Sequence, residues 1–509
     1  MADTFRKETL DKDLSRVGEI GAATSALNRP MVGVGIAFLF MVLVIAFVSI
    51  GLSGSPAMIT IVAAAAIGAY MAMNIGANDV ANNVGPAVGA KAMTMGGALV
   101  IAAICESAGA LIAGGDVVNT ISKGIVNPAD LAETHTFIAA MMAALVAAGL
   151  WVNLATAINA PASTTHSIVG GVMGGGIAAA GFSTVDWGIM GAIAASWVIS
   201  PLLGGVIAAF FLYLVKSLVI YREDKIAAAR RWVPIFIAVM FGAFAAYLTM
   251  KGLKKVIRVD GATIWMIGAT SFALSWAIFH PLIRSQSEGM ENRNQSIRKL
   301  FRIPLIISAA LLSFAHGAND VANAVGPLAA IVNATSADTV SAKVGIPLWV
   351  MLIGAAGISL GLLLFGPKLI RLVGSQITKL SPMRAYCVAL SAAITVIVAS
   401  YFGLPVSSTH IAVGAVFGVG FFREFWTARS KRRQRYLAMQ RNQNGSMTSQ
   451  IPLTSEDGAS DRAPSPEIIR QRRLVRRAHV STIAAAWIIT VPATAVLSAL
   501  IFYVIRAFV

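Results

Sequence analysis

Aspartate and asparagine recur at fixed spacing in the most apolar parts of this chain. Gly-Ala-Asn-Asp-Val-Ala-Asn occurs at Gly76–Asn82 and again at Gly317–Asn323, and each copy runs on to Val-Gly-Pro. Over eleven positions the copies differ only at Asn83 against Ala324. On a helix Asn78, Asp79 and Asn82 share a face, and Asn319, Asp320 and Asn323 repeat the arrangement. One carboxylate with amide oxygens is a hard oxygen set that suits Na⁺, or a proton on the carboxylate. An ionised carboxylate in an apolar stretch is costly without a partner, so a costly feature present twice points to a cation or proton site. Gly76, Pro86, Gly317 and Pro327 are expected to break each helix and free backbone carbonyls for the same ion. The alternative is that the amides only cross-link helices.

A second duplicated element carries hydroxyls. Pro161-Ala-Ser163-Thr164-Thr165-His166 is matched by Pro405-Val-Ser407-Ser408-Thr409-His410, with Gly170 and Gly174 matched by Gly414 and Gly418. Proline suits the first turn of a helix, where hydroxyls sit beside backbone N–H groups that lack partners. Two such half-helix starts, arriving from opposite sides, offer donors and positive dipole ends that could enclose a tetrahedral oxyanion. Alternatively, Ser163, Thr164, Ser407 and Ser408 only cap their own helices. His166 and His410 could donate to the anion, titrate, or pack between helices. Glu106 lies in an apolar run and has no acidic mirror, which makes it a coupling or gating candidate. His316 stands where the first copy has Ile75 and carries less weight.

The elements that must position these residues are membrane helices. Of 509 residues, 57% are hydrophobic and 12% charged, which excludes an ordinary soluble domain. Apolar runs such as Met31–Ser49, Phe137–Ala157, Trp187–Val215 and Leu348–Phe365 are long enough to span a bilayer. The fold class is therefore all-α integral membrane, with about 12–13 transmembrane segments, some broken or re-entrant. Cys105 and Cys387 show neither metal spacing nor a disulfide framework. The net charge of +17 is concentrated in a loop at Arg423–Arg477, so it speaks for membrane orientation and against nucleic acid.

Loop charges give the topology. Arg6, Lys7, Lys12, Arg16 and Arg29 place the N-terminal tail inside, and Asp116–Glu133 is acidic and external. Lys216–Arg231, Arg284–Arg302, Lys368–Arg384 and Arg423–Arg477 suit the inside, whereas Lys251, Lys254, Lys255 and Arg258 run against the count. The Asp79 and Asp320 segments then run in opposite directions. A third pair, Ser196-Trp197 and Ala486-Trp487, completes an inverted repeat of five segments, the architecture of many secondary transporters. The division is a tail (1–30), an extra helix (31–52), a first repeat (57–215), connecting helices and loops (216–302) and a second repeat (303–505). A basic loop (423–478), whose composition cannot build a core, interrupts the second repeat.

With these motifs the chain resembles the inorganic phosphate transporter (PiT) family, whose hallmark is the duplicated Gly-Ala-Asn-Asp-Val-Ala-Asn element. Gly114-Gly-Asp-Val-Val-Asn-Thr-Ile-Ser-Lys-Gly-Ile125 and the surroundings of Glu106 are similar too, and the likeness runs from about Ile61 to Phe502. The resemblance implies phosphate symport with Na⁺ or H⁺, the Na⁺ branch being favoured by the Asn-Asp-Val-Ala-Asn form and Glu106. It implies a Na⁺ site at Asp79 and Asn82, another at Asp320 and Asn323, and a phosphate cradle of Ser163, Thr164, Thr165, Ser407, Ser408 and Thr409. The helix at 31–52 is an addition to the family's twelve-segment plan.

The expected activity is import of inorganic phosphate across a cell membrane, the bacterial inner membrane, by alternating access. No catalytic residue, no cofactor beyond the coupling ion and no nucleic-acid partner is expected; lipid surrounds the chain, and a homodimer is allowed. A sulfate or other oxyanion symporter and an anion channel are the alternatives. An intramembrane hydrolase is disfavoured because Gly-x-Ser-Gly and His-Glu-x-x-His elements are missing.

Overall fold

The computed structural model describes residues 30–126, 131, 133–158, 162–252, 259–337, 346–376, 380–429 and 477–507. Most of the N-terminal tail, Pro161, Lys254, Lys255, Arg258, the side chain of Trp487 and residues 430–476 of the basic loop lie outside the described residues. The described residues form helices, with a single isolated bridge between Val126 and Val185. Helices satisfy every backbone group within the segment, which lipid demands. Among the described residues, eleven are long and apolar enough to cross a membrane.

Helix α1 (Pro30–Gly51) is the extra segment; it packs on α2 (Met58–Gly89) and sets Gly33 against Phe365. Next come α3 (Met95–Ala113), the short α4 (Gly115–Asn119), a π turn at Thr120–Gly124, α5 (Thr134–Ala157), α6 (Thr164–Ala180) and α7 (Trp187–Val215). The connecting region holds α8 (Lys225–Lys251), α9 (Gly261–Gln286) and α10 (Asn294–Leu300). The remaining helices are α11 (Arg302–Asp320), α12 (Ala322–Ala337), α13 (Leu348–Gln376), α14 (Pro382–Tyr401), α15 (Ser408–Arg429) and α16 (Arg477–Arg506). The two helices opened by the hydroxyl motifs, α6 and α15, are not among the eleven spans. Added to those spans they make up the expected number of segments.

Equivalent helices make equivalent contacts. α2 packs on α13 as α11 packs on α3, and α6 packs on α16 as α15 packs on α7. The register matches residue by residue. A Cβ added to Gly76 would overlap the carbonyl of Ile358, and one on Gly361 that of Met73. In the other half, a Cβ on Gly317 would overlap the carbonyl of Glu106, and one on Gly109 that of Phe314. Contact residues on each helix are three apart in both pairs, so Ile358 occupies the place of Glu106. Gly170 and Gly174 press on Val491 and Ala495, while Gly414 and Gly418 press on Pro201 and Gly205. Small residues allow this approach, and close van der Waals packing replaces the hydrophobic drive that lipid removes.

The expected helix breaks are not where the motifs suggested. α2 runs unbroken through Gly76 and Pro86. The second copy is interrupted at Val321, where α11 gives way to α12, and not at Gly317 or Pro327. Gly76 and Gly317 serve close packing instead. Pro86 and Pro327 still free a carbonyl each, because a proline lacks the N–H that would bond four residues back, to Asn82 and Asn323.

Lys251 finds partners at its own end of the molecule. Its ammonium pairs with Asp116 of α4, donates to the Tyr401 carbonyl at 3.3 Å and lies over the Tyr401 ring. Thr120 Oγ1 donates to the nearby Gly403 carbonyl at 2.7 Å.

Replacing Gly418 by Val drives side-chain atoms into the Gly205 backbone. We expect a fall in Tm in detergent corresponding to about 1–3 kcal/mol or more of overpacking. Gly35→Ala, where a Cβ meets nothing within 4 Å, is the control and leaves Tm unchanged. Equal melting of both variants and the parent would contradict the seam.

Candidate functional site

The first turns of α6 and α15 meet on one carboxylate. Asp79 Oδ2 accepts from Thr164 Oγ1 at 2.9 Å, and Oδ1 accepts from Thr409 Oγ1 at 3.0 Å. Asn82 Nδ2 donates to Thr409 Oγ1 at 2.8 Å. The other copy closes the ring: Asn323 Nδ2 donates to Thr165 Oγ1 at 3.2 Å and to Thr164 Oγ1 at 3.4 Å. Ser408 Oγ donates to Asp320 Oδ2 at 3.4 Å, and Thr165 Oγ1 donates to the Val406 carbonyl at 3.1 Å. Asp79, Asn82 and Asn323 therefore hold hydroxyls of the opposite half, while Thr164 and Ser408 also reach the aspartate of their own half.

Position within the first turn separates the hydroxyls by role. Ser163 Oγ accepts from the His166 N–H at 3.1 Å and Ser407 Oγ from the His410 N–H at 3.4 Å, so these two cap their own helices. Thr164, Thr165, Ser408 and Thr409 reach other segments instead. The cap leaves the earliest backbone N–H groups of each helix at the junction, where the dipole is positive.

The outer asparagines brace the site. Asn78 Nδ2 donates to Thr156 Oγ1 at 2.9 Å, near the end of α5. Asn319 uses both ends of its amide on the link before Ser407: Nδ2 donates to Ser400 Oγ at 2.9 Å and the Leu404 carbonyl at 3.1 Å, and Oδ1 accepts from the Val406 N–H at 3.2 Å. His166 lies 3.9 Å from the Trp197 ring and 4.5 Å from the His410 ring, centroid to centroid. Trp197 in turn donates to the Pro405 carbonyl at 3.1 Å. The two buried histidines thus meet edge to face, with the half-buried Trp197 tilted against His166.

His316 holds a place that the sequence reading gave little weight. Its Nε2 lies 2.9 Å from Asp320 Oδ2 and 3.7 Å from Asp79 Oδ2, and its Nδ1 lies 3.3 Å from Glu106 Oε1. Glu106 Oε1 also accepts from Asn83 Nδ2 at 2.8 Å. All four ionisable side chains are at most 1% exposed. The signal available in the sequence was the four-residue spacing of His316 and Asp320 on one helix face.

Several polar atoms are left over here, Nδ1 and Nε2 of His316 among them. Asn83 Oδ1, Glu106 Oε2, Asp320 Oδ1 and Asn323 Oδ1 are buried without a hydrogen-bond partner among the described residues. An unsatisfied buried acceptor costs about 1–3 kcal/mol. Carboxylate and amide oxygens of this kind are ligands for a hard cation such as Na⁺.

Residues 75–498 match the profile of the phosphate transporter family. A Helicobacter pylori (strain J99) protein named "Putative phosphate permease" is 44% identical over 96% of this chain and 98% of its own length. A relative of like name in Pyrococcus abyssi is 36% identical over 70% of this chain and 87% of its own. A solved structure titled "The sodium-dependent phosphate transporter" superposes with a TM-score of 0.75 at 32% identity, covering 88% of this chain and all of the other.

Asn83→Ala tests the brace on Glu106, because its counterpart Ala324 shows that this helix position accepts alanine. The loss of the Glu106 partner is expected to lower stability by about 1–3 kcal/mol, read as Tm. An unchanged Tm would mean that Asn83 does not support Glu106.

Proposed function

The chain belongs to the phosphate transporter family, and we propose that it is a secondary active transporter importing inorganic phosphate with Na⁺ by alternating access. The observation that carries this reading is the shared carboxylate: Asp79 joins the starts of α6 and α15. The family is one of permeases, not enzymes, and the eleven spans make the protein multi-pass in a membrane. The cell's inner membrane is the proposed location.

In this reading Na⁺ binds at Asp79 with Asn82 and at Asp320 with Asn323, where the proline-freed carbonyls of the two asparagines add oxygens. Asn78 and Asn319 position those sites through Thr156 and the link before Ser407. Phosphate binds between the first turns of α6 and α15, taking N–H groups of both helices and the hydroxyls of Thr164, Thr165, Ser408 and Thr409. Ser163 and Ser407 keep those turns in shape. Phosphate and the carboxylates repel one another unless cations lie between, so loading is cooperative and an anion pore is disfavoured. Glu106, held on His316 and Asn83, ties the Asp320 site to α3 and couples ion loading to helix packing.

Alternating access follows from the two-fold arrangement. The contact of Lys251 and Asp116 with Tyr401, and of Thr120 with Gly403, gathers the link before α15 at the end read as external. That grouping supports an inverted pair of repeats, with the α6 start reached from the other side. The glycine seams let α6 and α15 slide along α16 and α7 while fully loaded.

Labelled phosphate uptake into liposomes of purified protein tests the reading. A Na⁺ gradient is expected to drive uptake that excess sulfate does not block, and a pH gradient alone is not. Asp79→Asn and Asp320→Asn, each properly inserted, should each cut Na⁺-driven uptake at least about 100-fold, the effect of losing roughly 2.7 kcal/mol of binding. Uptake driven only by a pH gradient would reassign the carboxylates to protons, and sulfate accumulation would overturn the phosphate assignment.

A further inference from the structure

The two halves are not identical at the site: Asn83 stands against Ala324, Thr164 against Ser408, and two further positions exchange isoleucine for an ionisable residue. Where the second copy has His316 the first has Ile75, and where α3 has Glu106 the packing register places Ile358. A buried histidine of the second repeat and a buried glutamate of the first, each answered by isoleucine in the other copy, thus touch each other.

We propose that His316 Nε2, Asp79 Oδ2 and Asp320 Oδ2 form a site for one divalent transition cation, and that its occupancy excludes Na⁺ from both carboxylates. The chemistry begins with the ligand types. Na⁺ is served by oxygens alone, whereas an imidazole nitrogen with two carboxylates suits Zn²⁺ and its neighbours. The geometry agrees: the donor atoms of these three residues lie within 4.8 Å of one another. Two of the separations are 2.9 and 3.7 Å, which bracket the roughly 3.3 Å between ligand atoms of a tetrahedral zinc sphere.

Two further observations favour a metal over a mere hydrogen-bonded cluster. Glu106 Oε1 sits 3.3 Å from His316 Nδ1, on the far side of the ring from the two aspartates. A carboxylate on the side of the outer nitrogen is a charge partner of the kind that supports a metal-ligating histidine, and it leaves Nε2 facing the two aspartates. In addition Asp320 Oδ1 is buried and has no hydrogen-bond partner among the described residues, which leaves it for a second bond to the ion. Thr164 and Ser408 donate to the same oxygens of these two carboxylates and so hold both in place. The mirror side, with Ile75 and Ile358, offers no nitrogen, so the stoichiometry is one ion per chain.

The ion-exclusion consequence rests on the proposed Na⁺ role of Asp79 and Asp320; the metal site itself does not. The experiment separates them. Zn²⁺ alone is titrated calorimetrically into the purified full chain, carrying no polyhistidine tag, without phosphate and in a choline buffer. One Zn²⁺ per chain is expected. His316→Ile, the residue of the mirror position, should weaken binding at least 100-fold, and Glu106→Gln should weaken it ten- to a hundredfold. Should the His316 variant fail to fold, the Glu106 variant decides, together with Co²⁺ added to the parent protein, which should give the intense visible bands of a low-coordinate site. Parent-like Zn²⁺ affinity in a folded His316→Ile, or in Glu106→Gln without Co²⁺ bands in the parent, overturns the site. Replacing choline by Na⁺ should raise the apparent Kd for Zn²⁺, and Zn²⁺ should inhibit Na⁺-driven uptake in liposomes. Zn²⁺ binding indifferent to Na⁺ overturns the exclusion. Metal binding with no Na⁺-driven uptake under any condition overturns the transport reading and leaves the site standing.

Discussion

Asp79 accepts a hydrogen bond on each oxygen from the first turn of a different helix, and much of the fold is arranged so that it can. A carboxylate at this depth has no water to solvate it, and several kcal/mol are lost if it stands alone. The chain answers with hydroxyls brought in on α6 and α15, two helices that begin inside the protein and not at its surface. Those internal starts require caps, which Ser163 and Ser407 supply. They also require links that dip into the core, which Asn319 holds by both ends of its amide. The carboxylate therefore determines where helices must start, and the helix starts in turn furnish the donors an anion needs.

Such an arrangement is stable only if the helices carrying it approach closely. Gly76 and Gly317 let α2 and α11 lie against α13 and α3 with backbone in contact, and Gly170, Gly174, Gly414 and Gly418 do the same for the hydroxyl-bearing helices. In lipid this packing has to come from shape, because apolar side chains gain little by leaving tails for each other. The proposed ion sites lie on α2 and on α11 with the start of α12, helices that these contacts hold. The proposed divalent site uses a departure from symmetry, a histidine and a glutamate set in places otherwise held by isoleucine.

Much of the site was legible because the sequence states it twice. Duplication singled out Asp79 and Asp320, the inner asparagines and the hydroxyls, and helical spacing placed Asn78 and Asn82 on one face. Duplication also hid what is not duplicated. His316 lacks a mirror, and a rule that weights repeated residues passes over it although it lies four residues from Asp320. The helix breaks were misread for a different reason. Glycine followed by proline in a membrane segment suggests a broken helix, yet the glycines are required by the neighbouring backbones of Ile358 and Glu106, which lie far away in the sequence.

By itself the sequence determined the class of protein, the number and rough extent of its helices, the two motif pairs and the acidic and hydroxyl chemistry. These follow from composition, periodicity and local spacing, and local preferences are encoded in adjacent residues. Which hydroxyl serves which carboxylate was decided only by the tertiary structure. Thr409 lies 330 positions from Asp79 and Thr164 lies 85, and nothing local says that both reach the same residue. The division of Ser163 and Ser407 from their neighbours, the bracing by Asn319 and the central place of His316 were decided likewise. In each case a buried polar atom takes the partner that helix packing puts within reach, and packing is a property of the whole bundle.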